Sequence, residues 1–541
     1  MATPSTIRNA WWRTATLVVA TLVVAFVTSG VIASERQPLP VHAAVAAWAE
    51  EHPGQPVPLI VQHDGTPDDL LAFVRDAGGG VERDFHIIPA LDIDLPADQL
   101  GDLARQDDAT WISLDAPVQS TGTLNVSGLS QVYPYAVNAN DPWQKGVYGS
   151  GVTVAIIDTG VSDDAKEDFS DDSGQPRVEW VSTNPDNPAT EDGFGHGSHV
   201  GGIIAGYSTK TNPVGKYTGI APRANLLAVR IADDAGNATV GDLMAGLELV
   251  DDNRNAYNIG VLNLSVTSSV AQSYKVDPLD AAVELLWFHG IVVVVAAGNT
   301  GTASDAVSYP PANDPFVITV GAFDDAGTRS YSDDRVTSWS SRGSTQDGFA
   351  KPELVAPGLG IVSPVSSTSY LAATYPQAIV EQGNQAYFRM SGTSMSAGVV
   401  SGVVALVLEK HPDWTPGEIK ATLIAKGRQL SGNTYGVAPR AGNTNNASNP
   451  SGTGDDGLTP SYLLLAALGV AEADFEGIRW RDADFQGLRW RGLELNGLRW
   501  RDVDWSGIRW SGVEFNGIRW SGVDFEGIRW SGIRWNAFVG R

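Results

Sequence analysis

VTVAIIDTG, residues 152–160, decides the fold of this chain. Six almost wholly apolar residues are followed at once by a carboxylate, Asp158, and then by Thr159-Gly160. A half-exposed strand alternates apolar and polar residues, whereas a short unbroken apolar run suits a strand covered on both faces. Four more such runs follow: NLLAVRI (225–231), GVLNLS (260–265), IVVVVAA (291–297) and FVITVGA (316–322). Helical stretches lie between them, including GHGSHVGGIIAG, TVGDLMAGLELVDD and DPLDAAVELLWFHG. Buried strands alternating with helices predict an α/β body over residues 121–440, a parallel β-sheet flanked by helices. Sites in such sheets form at the carboxyl ends of the strands, where Asp158 stands.

On the N-terminal side, residues 57–120 carry a different pattern. VPLIVQH (57–63) reads as a strand, TPDDLLAFVRDA as a helix, VERDFHIIPALDIDL (81–95) as one or two strands, PADQLGDLARQ as a helix and TWISLDAP (110–117) as a last strand. This β-α-β-(β)-α-β order predicts a small α+β, ferredoxin-like domain. Residues 35–56 read as linker with a short helix. Residues 1–34 begin with Arg8 and Arg13 ahead of the apolar run Thr14–Val27, and Val31-Ile32-Ala33 resembles a cleavage site. That is a signal-peptide pattern and predicts a secreted protein. A membrane anchor facing outside is the alternative, because the apolar stretch approaches the ~20 residues that span a bilayer.

On the C-terminal side, residues 441–470 open with AGNTNNASNPSGTGDD and read as a flexible linker. Residues 471–541 form a repeat tail. GIRW or GLRW begins at Gly477, Gly487, Gly497, Gly507, Gly517, Gly527 and Gly532, and a large apolar residue recurs every five positions. The tail resembles the pentapeptide-repeat solenoids, although Trp and Arg are over-used, and it is expected to be a β-solenoid contacting a cell surface or another protein.

The chain's 541 residues exceed what one core needs. With 62 acidic and 36 basic residues its formal charge is −26, which argues against nucleic acid as a partner. Without cysteine, neither a thiol nucleophile nor a Cys-ligated zinc is available.

Four residues carry candidate chemistry. Ser394, in SGTSMS, opens an apolar helix, where a hydroxyl is either an exposed nucleophile or an ordinary cap. His196 lies in DGFGHGSH. It is a candidate base, a capping residue or, with His199, half of a metal pair, though the Glu of HExxH is missing. His289 and His411 lie at helix ends, where a structural role fits. Asp158 needs a partner at the end of a buried strand, and a His ring is a suitable one; a turn-capping Asp is the alternative. Asn299, in AAGN, is either an amide donor to an oxyanion or a turn residue.

Their order, DTG then GHGSHVGG then VVVVAAGN then SGTSMS, resembles the subtilisin-like serine peptidases over roughly residues 140–430. GIAPRANLLAVRI (219–231), LNLS (262–265) and KPELVAPG (351–358) extend the likeness. The resemblance implies a serine endopeptidase acting on proteins or peptides, with Asp158, His196 and Ser394 as triad and Asn299 as oxyanion donor. It implies that Leu264, Ser265 and Val266 bind the substrate backbone and that Ala296, Ala297 and Gly298 wall a specificity pocket. Residues 57–120 resemble the inhibitory propeptide of that family, which implies a zymogen held by its own propeptide. No cofactor is required; calcium sites are common in the family, and no single acidic loop here spells one. The chain departs from the family at Val266-Thr267-Ser268, where Leu-Gly-Gly is usual, and at Ser396-Ala397-Gly398, where Ala-x-Pro is usual.

Overall fold

The structure, a computed structural model, describes residues 43–467 without 65, 117, 121, 126–130, 166, 172, 185–186, 208–215 and 383–385, and also residues 538–540. The signal or anchor expected in 1–34 and the repeat units of the tail lie outside the described residues.

The quoted stretch forms the strand Thr153–Asp158, every residue of it buried. It sits inside an eight-stranded sheet. The order across is Arg335–Val336, Ile318–Asp324, Val292–Ala296, Ile259–Leu264, Thr153–Asp158, Asn225–Arg230 and Val178–Ser182, with Leu354–Pro357 also beside Ile318–Asp324. All pairings are parallel except the short Arg335–Val336 edge. Leu264 is in register with Ile157 on one side and Val295 on the other, so Asp158, Ser265 and Ala296 leave the sheet along one edge.

The two sheet faces can be told apart from adjacent side chains. Gly201, in the helix His196–Ala205, faces the Ile156 side chain, while Gly246, in the helix Val240–Asn253, faces that of Ile157. Successive strand residues point to opposite faces, so these helices cover opposite sides. The helix Thr393–Lys410 packs with His196–Ala205 and against the strands Ile259–Leu264, Val292–Ala296 and Ile318–Asp324. It is long and apolar enough to cross a bilayer, yet it is 89% buried in the protein, which makes it the core helix.

Residues 56–114 form the expected small domain. Its antiparallel sheet runs Gly80–Phe85, Ala90–Pro96, Pro56–His63, Ala109–Leu114, with the helices Asp68–Asp76 and Leu100–Leu103. It docks on the helix Val240–Asn253. Arg83 pairs with Asp242 at 2.8 Å, and His86 meets Glu248 at 2.7 Å and Asp252 at 3.2 Å. The first-turn N–H groups of that helix need acceptors. Gly241 N–H donates to Asp115 Oδ1 at 2.5 Å and Val240 N–H to the Ala116 carbonyl at 2.5 Å.

The expected linker over 441–470 is corrected where it is described. Ala441–Asn445 and Tyr462–Ala467 are helical, with Ala441, Tyr462 and Leu464 buried. Buried Glu284 accepts from the Ser461 backbone N–H at 2.9 Å and from its hydroxyl at 2.6 Å. Trp287 Nε1 donates to Asp455 at 3.1 Å. These bonds fasten the segment to the helix Pro278–Phe288.

Candidate active site

Asp158 is the last residue of its strand and has no exposed surface. Its Oδ1 accepts from the Thr159 N–H at 2.7 Å and lies 2.7 Å from His196 Nδ1. A carboxylate only accepts, so Nδ1 carries the proton and donates, and Nε2 is left as the basic nitrogen of the ring.

His196 opens its helix, and a network behind it holds that turn. Thr159 Oγ1 donates to Asp192 Oδ1 at 2.7 Å and accepts from the Gly197 N–H at 2.9 Å. Asp192 accepts from the N–H groups of Gly195 at 2.7 Å and Ser198 at 2.8 Å. Burial raises the Asp192 pKa above the ordinary range, opposed by these hydrogen bonds. Gly195 adopts φ 104°, a left-handed conformation, ahead of the helix. Gly197 touches the DTG turn: a Cβ there would sit 2.1 Å from the Gly160 carbonyl oxygen. The glycines of GHGSH therefore let the His-bearing helix meet the Asp-bearing turn.

Ser394 is the second residue of the core helix, directly after the strand Ala386–Gly392. Its hydroxyl donates to the Ser265 carbonyl at 3.2 Å, and the Ser265 hydroxyl donates back to the Ser394 carbonyl at 3.2 Å. Asn263 Nδ2 donates to Ser265 Oγ at 3.0 Å and Ser401 Oγ to Asn263 Oδ1 at 3.0 Å. The end of the Ile259–Leu264 strand is thus tied to the start of the core helix.

Asn299 follows Ala296, Ala297 and Gly298 off the next strand. Its Oδ1 accepts from the Thr393 N–H at 3.1 Å and the Thr393 hydroxyl at 3.2 Å, while Gly298 N–H donates to Thr393 Oγ1 at 3.0 Å. Because Thr393 takes the oxygen end, the amide presents its N–H₂ end as donor. Gly298, at φ 97°, turns the chain, and a Cβ on it would meet Ser341 Oγ at 3.0 Å. Ala296 and Ala297 are buried.

Val266–Ser268 forms a short buried strand paired antiparallel with Val118–Ser120. The edge beside Ser265 therefore accepts extended chain by backbone pairing even with Val266-Thr267-Ser268 in place of glycines.

His199, the other half of the metal alternative, is buried and lies 2.9 Å from the Phe388 carbonyl and 3.2 Å from that of Ile361 through Nε2. Its pKa is pulled down to about 3 by burial, so it is a neutral structural donor. Among the described residues no group of three or more His, Asp or Glu side chains is arranged to hold a metal ion. His289 and His411 do stand at helix ends, as C-cap residues. Thr159, Asp192 and Thr393 were not singled out in the sequence. Each lies inside a quoted motif, but a hydroxyl or carboxylate there looks like any cap.

The sequence profile of the subtilase family, peptidase S8, matches residues 149–454. The chain belongs to the subtilase family. It is 39% identical over 283 residues to the serine protease AprX of Bacillus subtilis (strain 168), covering 51% of this chain and 61% of that one. It is 32% identical over 355 residues to the M-protease of Shouchella clausii (strain KSM-K16), covering 65% and 78%. Among solved structures it resembles fervidolysin from Fervidobacterium pennivorans, a keratinolytic enzyme related to subtilisin, with TM-score 0.57, 24% identity and coverage of 74% and 62%; that likeness concerns the fold. The chain spans about three fifths of the length of AprX and about four fifths of that of the M-protease.

Proposed function

We propose that this subtilase is a secreted endopeptidase that cuts peptide bonds through an acyl-enzyme on Ser394, with His196 as base and Asp158 as its orienting carboxylate. One observation carries the proposal: the buried 2.7 Å contact between Asp158 Oδ1 and His196 Nδ1, at the edge where Ser394, Ser265 and Asn299 also converge. Ser394 Oγ adds to the scissile carbonyl carbon as its proton passes to His196 Nε2. Asp158 fixes the tautomer and stabilises the imidazolium. The Asn299 amide and the Ser394 N–H, at the positive end of the core helix, receive the oxyanion. His196 returns the proton to the leaving amine, and water releases the acyl group. Leu264, Ser265 and Val266 pair with the substrate backbone, and Ala296, Ala297 and Gly298 wall the pocket for the side chain before the cut.

The protein is made as a zymogen whose domain 57–120 acts as an intramolecular inhibitor. Support comes from the docking of that domain on Val240–Asn253 and the pairing of Val118–Ser120 with Val266–Ser268. Secretion rests on the signal pattern of residues 1–34. The test compares purified wild type with Ser394→Ala on an extended peptide set. Hydrolysis by wild type alone is expected; equal hydrolysis by both, or none by either, contradicts the proposal.

A further inference from the structure

We propose that the exposed ring of Tyr370, stacked on Phe194, binds the substrate residue that carries the leaving amine and favours an aromatic side chain there. The proposal rests on His196 being the base of Ser394 and names a specificity determinant on that base's side of the cleft.

Phe194 and Gly195 directly precede His196. The chain that follows the strand Ile361–Val365 folds back onto them. Tyr370 N–H donates to the Gly193 carbonyl at 2.7 Å and Leu371 N–H to the Phe194 carbonyl at 3.1 Å. A Cβ on Gly195 would lie 2.6 Å from Ser369 Oγ and 2.9 Å from a Val365 methyl, so the two segments are in close contact. Ser369 Oγ accepts from the Ala372 N–H at 3.3 Å and caps the short helix Tyr370–Thr374. The backbone of Tyr370 is therefore fixed to the motif that carries the base.

Its ring is fixed as well. The Phe194 and Tyr370 rings are 10° from parallel with centroids 5.7 Å apart. Phe194 is buried, whereas Tyr370 is 50% exposed, the most exposed large apolar side chain among the described residues. A lone exposed aromatic is ordinary. This one is held at backbone and ring beside the base, so little side-chain freedom is left to lose on binding.

The route of the proton decides which part of a substrate meets it. Asp158 holds His196 Nδ1 at 2.7 Å, so Nε2 hands the proton to the leaving nitrogen and must come within about 3 Å of it. The acyl part lies along Leu264, Ser265 and Val266, whose strand adjoins that of Asp158. The residue beyond the cut therefore lies against the turn 193–196, where the two rings stand. Aromatic pairs favour offset-stacked or edge-to-face contact at about 4.5–7 Å between centroids, which the open part of the Tyr370 ring offers to an incoming aromatic side chain.

The test runs the leaving step in reverse. An acyl-enzyme formed from an N-acetylated peptide methyl ester partitions between water and an added amine. The amine nitrogen bonds to the acyl carbonyl carbon while its proton passes to His196 Nε2; the bond to Ser394 Oγ breaks, and Oγ takes that proton back. The yield of phenylalaninamide adduct over glycinamide adduct reports the leaving-residue site and is independent of how much enzyme is active. Wild type is expected to favour phenylalaninamide. Tyr370→Ala and Tyr370→Gln are expected to lower the ratio about three- to ten-fold, and Tyr370→Phe to keep it. No preference in wild type, or an unchanged ratio in both variants without the ring, overturns the platform and leaves the catalytic assignment. An altered preference for the acyl-side residue of the ester, in place of the amine, overturns the placement on the leaving side. A wild type that forms no acyl-enzyme overturns the catalytic assignment and the platform with it.

Discussion

Thr393 fixes which end of the Asn299 amide faces the site, and this gives a residue-scale expectation. Asn299→Ala removes one oxyanion donor and is expected to lower kcat by roughly 10²–10³ with little change in KM. Thr393→Val keeps the backbone N–H to Oδ1 but loses the hydroxyl that bonds Asn299 and Gly298, so a smaller fall, again in kcat, is expected. Steady-state kinetics decide; an unchanged kcat in Asn299→Ala contradicts the assignment. Asp158 stands at a strand end and His196 and Ser394 in the first turns of helices, inside glycine-flanked motifs, and Asn299 follows a strand. Those positions were legible locally, whereas their candidate roles followed only from the order of the motifs and the resemblance it carries. Thr393 and Asp192 were not legible, because their roles depend on groups brought together only by folding: Asn299 lies 94 positions from Thr393, and Thr159 33 from Asp192.

At the scale of elements, the contact between the small domain and the helix Val240–Asn253 is expected to weaken as pH rises. Burial pushes Asp115 up to about 8, helped by the nearby charges of Asp92 and Asp242 and opposed by the Gly241 N–H. Burial pushes Asp92 up to about 6, opposed by Arg83. His86, facing Glu248 and Asp252, is also raised. In this docked arrangement all three groups hold their protons more tightly than at their ordinary values. The grip is therefore full at low pH and is lost as pH rises through these values. Release of the cleaved domain, followed as the onset of peptide hydrolysis, is expected to quicken from pH 6 to 9. Asp115→Asn, which mimics the protonated acid, is expected to flatten that dependence; an unaltered profile contradicts the docking account. The alternating βαβ order of the body and the split βαβ order of the small domain were both legible, because strand and helix periodicities are local signals. The 441–470 segment misled because its Gly/Asn/Ser composition is that of a linker, whereas the groups that order it, Glu284 and Trp287, lie on a helix 177 and 168 positions away from their partners.

At the scale of the whole molecule, the cysteine-free peptidase body carries unspent acid in its core. Asp280 has no exposed surface, and neither of its carboxyl oxygens has a hydrogen-bond partner. Burial holds its pKa well above the ordinary range, reinforced by Asp277, Asp314, Glu284 and Asp347. Burial likewise sets Asp277 at about 7 and Asp314 at about 6; Lys351 opposes the shift at Asp314, and Lys275 lies near Asp347. The folded state keeps protons that the unfolded chain releases, so stability is greatest at low pH and declines as pH rises through these values. In the Ser394→Ala chain, which cannot digest itself, Tm is expected to fall from pH 5 to 7.5. Asp280→Asn is expected to lessen the fall, and an identical slope would show that Asp280 is not held neutral. No periodicity or motif reveals such a cluster, because its members span residues 277–347 and meet only in the folded core. That Ser394 is the nucleophile activated by His196 and Asp158 is tested by labelling the processed enzyme with a serine-reactive phosphonate and locating the adduct by peptide mass. One adduct per chain is expected, on Ser394, formed orders of magnitude more slowly in His196→Ala. Labelling elsewhere, or at an undiminished rate in His196→Ala, would contradict it.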